Sequence, residues 1–217
     1  NYVLTLSNPA QSDVVVQLSY TGVAADGTDY TRVVNVTIPN NATSVEFSIP
    51  TIDNQQVQNA RDFTVVIAGA TGGNFESLVP QGSVTTVITD NDLPGADGGL
   101  VVGREDTPQV LTWANFGVTT DSALTQGVII TQLPVEGVLQ YQQSQGVWVN
   151  VSAADVASGR VFSEADVSAG NLRFVPDANE SSSANYPAGV GNLQADYAQI
   201  QFTPVAGDVV GAVATVT

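Results

Sequence analysis

TSVEFSIP, residues 43–50, decides the fold class. Val45, Phe47 and Ile49 are apolar, while Ser44, Glu46 and Ser48 between them are polar. A period of two puts the first set on one face of a strand and the second on the other. Five further stretches on either side have strand length: YVLTLS (2–7), DVVVQLSY (13–20), TRVVNVTIP (31–39), DFTVVIAG (62–69) and SVTTVITD (83–90). Turn chemistry punctuates them, as NPAQSD, AADGTD, NNAT and ATGGN. Strands at this spacing, with no helical run between them, predict a β-sandwich.

The second half is also mainly β. PQVLTW, GVIITQL, GVLQY, GVWVNV, NLRFVP, DYAQIQFTP and AVATVT are its expected strands. SAADVASGRVF (152–162) and SEADVSAGNLRF (163–174) depart from that, repeating Ser-x-Ala-Asp-Val-x-x-Gly eleven residues apart. A Ser with Asp three positions on caps a helical turn, and Gly suits its end. Two one-turn helices are therefore expected, each leading into an extended segment.

Between the halves lies ITDNDLPGADGGLVVGREDTP (88–108), which carries Asp90, Asp92, Asp97, Glu105 and Asp106 among Gly, Pro and Asn. Such a stretch is either a solvated, flexible linker or a hinge whose carboxylates repel until a cation joins them. The hinge reading takes Asp90 and Asp92 from the first domain and Glu105 and Asp106 from the second, with Asn91 or Asp97 between. The expected architecture is all-β: two tandem immunoglobulin-like or cadherin-like β-sandwich domains, 1–93 and 108–217, joined by an acidic linker, 94–107.

Composition narrows the chemistry. Twenty-one Asp and Glu face five bases, all Arg, for a formal charge of −16. Phosphate contacts need clusters of Lys and Arg, so a nucleic-acid partner is excluded, as is adhesion to anionic lipid. Oxygen-rich acidic loops favour calcium. Without His, Cys or Lys there is no Ser–His or Cys–His nucleophile and no Schiff base, and zinc loses its usual ligands. Only carboxylate pairs remain for catalysis, and the reading is of a non-enzyme. No apolar run approaches the roughly 20 residues of a membrane span. Trp113, Trp148, Tyr141 and Tyr186 offer a carbohydrate-stacking platform. Trp113 and Trp148 sit in alternating strands that predict core positions, and Tyr186 lies in a long polar loop suited to touching a partner.

The first region, residues 1–92, resembles a Calx-β domain through YVLTLSNPA, ADGTDY, IPTIDN and VITDND, in that order. The resemblance implies calcium ligands at Asp26, Asp29, Asp53, Asp90 and Asp92. Asn54 stands where that family has a second Asp, and Gln58, Asn59, Ala60 and Arg61 replace an acidic run. Residues 100–217 resemble the cadherin-like and proteoglycan-type repeats of bacterial repeats-in-toxin adhesins, through REDTPQVLTW, ITQLPVEGVLQY, FSEADVSAGNLRFVPDANES and DYAQIQFTP. That likeness implies ligands at Glu105, Asp106, Asp177, Glu180 and Asp196. Together the resemblances imply calcium-rigidified spacer modules of a large secreted bacterial adhesin. Their partners would be neighbouring modules of the same chain, at the extracellular cell surface, in attachment and biofilm formation. The alternative is a calcium-dependent module of the distal region that grips a cell-surface peptide or glycan.

Overall fold

The computed structural model of the chain describes residues 1–182 and 196–217. Tyr186 lies outside the described residues. The chain divides into two units, Asn1–Asn54 with Asn59–Asp90, and Asn91–Thr217 with Gln55–Gln58.

The first unit contains β1 (Tyr2–Thr5), β2 (Val14–Gly22), β3 (Asn35–Ile38), β4 (Ser44–Phe47), β5 (Arg61–Gly72) and β6 (Ser83–Ile88). All six fall on the stretches that strand length and the turn signals between them predict. β1 pairs with β4, and the order β3–β2–β5–β6 makes a four-stranded antiparallel sheet. In β4 the alternation holds residue by residue: Val45 and Phe47 are half-buried and pack on the core, while Ser44 and Glu46 are exposed. Phe47 faces Tyr2 across the ladder, their rings 5.2 Å apart. Val14, Val16 and Leu18 of β2 meet Val36 and Ile38 of β3 and Phe63 and Val65 of β5 in one buried cluster. A bulge places Ala68 of β5 outside the pairing with Gln17 and Leu18.

The second unit contains β7 (Gln109–Val110), α1 (Trp113–Phe116), β8 (Gln126–Gln132), β9 (Val138–Ser144), β10 (Val147–Asn150) and α2 (Ala153–Ala157). There follow β11 (Val161–Ser163), α3 (Glu164–Ser168), β12 (Leu172–Val175), β13 (Ile200–Ala206), β14 (Val209–Val210) and β15 (Ala214–Val216). Its two antiparallel sheets run β10–β9–β12–β7 and β11–β8–β13–β14, with β15 also on β13. Leu139, Tyr141 and Leu172 of the first sheet bury against Val128, Ile130, Ile200 and Phe202 of the second, with Phe116 and Val167 filling the cluster. Two sheets closing on one core make a β-sandwich.

The two short helices stand where the Ser-x-x-Asp repeat puts them. Ser152 Oγ accepts the Asp155 N–H at 3.2 Å, and Asp155 Oδ2 accepts the Ser152 N–H at 2.8 Å. Ser163 Oγ accepts the Asp166 N–H at 3.1 Å in the second copy. Gly159 and Gly170 follow with left-handed backbones, φ 64° and 79°.

PQVLTW shortens to the two residues of β7 and then turns into α1, because Asn115 Oδ1 accepts both the N–H and the hydroxyl of Thr112.

The acidic stretch differs most from expectation. Residues 94–107, expected as a linker, belong to the second unit, and 95–101 are hydrogen-bonded within it. Asp97 N–H donates to Gly117 O at 2.9 Å, Gly99 N–H to Thr215 O at 3.2 Å and Val101 N–H to Thr217 O at 2.7 Å. Gly98 has φ +72°, and a Cβ there would lie 2.0 Å from Thr215 O. The glycine is present so that two backbones can touch.

Candidate functional site

Five of the carboxylates that the sequence nominates gather at one end of the second unit. The turn from β8 into β9 ends in Glu136 and Gly137, and β12 runs out into Pro176 and Asp177. The pairing of Val138 with Val175 sets these ends side by side. Gly137 is required for the approach: its φ is +69°, and a Cβ would fall 2.4 Å from the Phe174 ring and 2.7 Å from Val175 O. The Gly137 N–H then donates to Asp177 Oδ2 at 2.8 Å.

Glu136, Asp177 and Glu180 thereby bring carboxylate oxygens within 4.8 Å of one another. Among the described residues no other trio of acidic side chains does so. The Tyr197 hydroxyl ties two of the three together, accepting the Asp177 N–H at 3.0 Å and donating to Glu180 Oε2 at 2.8 Å. Burial, and then the bond to Glu180, push the Tyr197 phenol up to about 12. Its hydroxyl therefore remains a donor across the working range. Asp106 Oδ1 accepts the Asn179 N–H at 2.7 Å, pinning the loop between Asp177 and Glu180. Glu105, Glu180 and Asp196 line a cavity of about 250 Å³ with an apolar floor that includes Leu111, Ile200 and Val216.

Like charges at this spacing repel by roughly 1 to 4 kcal/mol per pair in a partly solvated site. The trio offers only oxygen, which suits a hard cation, and calcium takes 6 to 8 oxygens. Asp177 Oδ2 and Glu180 Oε2 already accept protein hydrogens, so water would complete the shell. Asp177 and Glu180 are expected from the repeat-like sequence, whereas Glu136 is not. Its signal, an acid within LPVEG in the connection from β8 of one sheet to β9 of the other, becomes legible only once β9 is paired with β12.

In the first unit Asp26 and Asp29 have arginine partners. Arg32 Nε lies 3.0 Å from Asp26 Oδ2. Arg61 Nη1 donates to both oxygens of Asp29, at 3.0 and 3.1 Å. Asp53 is exposed. Asp90 falls in the first unit, and Asp92 in the second with Glu105 and Asp106.

The aromatic platform is dispersed. Tyr141 is buried in the core with Arg160 stacked 3.8 Å from its ring, and Trp113 packs on the same core. Trp148 is half-buried beneath Arg173, whose guanidinium sits 3.9 Å from the ring centre.

Two antiparallel β units with acidic loops define a modular all-β protein whose carboxylate cluster suits a hard cation. Residues 1–91 match the family model described as the LapA domain, an adhesin-related family, which is consistent with a bacterial adhesin. Neither the curated proteins nor the solved structures gave a match.

Proposed function

We propose that the chain is a pair of extender modules from a bacterial adhesin, working at the cell surface in attachment and biofilm formation. They hold an adhesive region away from the cell and are stiffened by calcium bound at their acidic loops. The match of residues 1–91 to the LapA domain carries the adhesin part of this reading. The acidic trio supports the calcium part, since binding to the folded state alone stabilises it by mass action. Its partners are neighbouring modules of the same chain, and it performs no covalent chemistry. Among the described residues no helix is long and apolar enough to cross a membrane.

The test is thermal unfolding of the whole chain across a calcium titration. Glu136→Gln, Asp177→Asn and Glu180→Gln together remove the trio, while Asp90→Asn with Asp92→Asn removes two carboxylates of the acidic stretch. Calcium should raise the melting temperature of the wild type, and whichever variant abolishes the rise identifies the ligands.

The apolar-floored cavity beside Glu105, Glu180 and Asp196 favours a second reading, a calcium-dependent grip on a peptide or glycan. Screening peptide and glycan arrays with calcium and with chelator separates the two. Calcium-dependent capture supports the binder, and none supports the spacer.

A further inference from the structure

The first unit holds eight Asp or Glu side chains but only two cationic ones, Arg32 and Arg61. Both are committed to the carboxylates of one loop, residues 25–30. Arg32 grips Asp26 twice, through its backbone N–H at 2.9 Å and its Nε at 3.0 Å. Arg61, the first residue of β5, reaches both oxygens of Asp29, whose side chain is only 5% exposed. Asp29 Oδ2 also accepts the Ala25 N–H at 2.6 Å, and the Asp29 N–H returns to Ala25 O at 2.8 Å, which closes the loop on itself. The Asp29 carbonyl accepts the Ile52 N–H at 2.9 Å, and the Tyr30 ring stacks 4.3 Å from Phe63.

A carboxylate this deeply buried needs a counter-charge. The guanidinium provides it together with two hydrogen bonds. A divalent ion at the same oxygens would have to expel Arg61 or sit beside it, and two cations in a partly buried site repel.

We propose that Arg61 is the resident cation of this loop. It stands where a metal ion would otherwise be needed, so this end of the first unit is locked without calcium, with Arg32 as a weaker, solvent-screened second clasp. The confinement of calcium to other carboxylates rests on the reading above; the lock does not.

Amide hydrogen exchange on the full chain tests it, in chelator and in excess calcium, at Ala25, Asp29 and Ile52. In the wild type, exchange at these amides should be the same in both conditions. Arg61→Gln should accelerate it at least tenfold, and Arg61→Lys, which keeps a cation at the carboxylate, should accelerate it far less. Wild-type protection that appears only with calcium would overturn the proposal, as would an unchanged loop in Arg61→Gln. Should Arg61→Gln fail to fold, the wild type and Arg61→Lys decide: protection of both in chelator supports the lock, and its absence in either refutes it. Trp113 and Trp148 both belong to the second unit, so tryptophan fluorescence follows calcium there separately. A fluorescence melt indifferent to calcium would sink the calcium reading and leave the Arg61 lock standing.

Discussion

Asp155 shows how much one side chain can carry. Its carboxylate is held below the usual carboxylate range, first by the bonds from the Ser152 side chain and backbone and then by Arg160. A group whose folded pKa is depressed contributes stability above its unfolded pKa, and that contribution fades as pH falls through the folded value. Asp155→Asn should therefore flatten the acid limb of the stability curve while leaving the neutral limb lower by a constant amount, as measured by denaturant unfolding from neutral pH downward. Ser152→Ala, which removes the cap itself, should cost about 1 kcal/mol at neutral pH. Both caps were legible in the sequence, because Ser-x-x-Asp followed by Gly is a local rule that tertiary contacts did not need to complete. Glu136 was not legible, since its role depends on a neighbour forty-one residues away across the β9–β12 ladder.

At the scale of elements, strand-length stretches bounded by turn signals located every strand of the first unit, yet the acidic stretch, residues 88–108, could not be read the same way. Gly next to Asp means flexibility in a linker and close backbone contact in a packed segment, and the letters are identical. Here Gly98 lies against Thr215, and the bonds of Asp97, Gly99 and Val101 hold the segment into the second unit. Gly98→Ala should thus destabilise that unit by about 2 kcal/mol or more, through both its positive φ and the clash. A true linker would tolerate the change within about 0.5 kcal/mol, and a tryptophan-detected urea melt tells these apart. PQVLTW misleads for a related reason. Its apolar pattern fits a strand, but the Asn115 side chain turns the chain at Thr112 and starts α1.

At the scale of the whole molecule, a charge of −16 means that compaction works against self-repulsion. We propose that the two units meet this differently: the first with arginines placed at its acidic loop, the second with a cation held by its oxygen cluster. That asymmetry was hidden in the sequence because both units carry similar densities of Asp in turns, and only the positions of Arg32 and Arg61 in the fold separate them. The match to the LapA domain model covers residues 1–91, while the acidic trio lies in the second unit, so the proposed adhesin role and the proposed calcium response rest on different parts of the chain. Calcium binding at the trio is tested most simply by a tryptophan-fluorescence melt in chelator and in calcium, for wild type and the Glu136→Gln, Asp177→Asn, Glu180→Gln variant. Calcium at a hundred times its Kd should add about 2.7 kcal/mol, a rise on the order of 10 °C, and the triple variant should show none of it. Wild-type melts that superimpose in chelator and calcium would contradict calcium binding by the second unit.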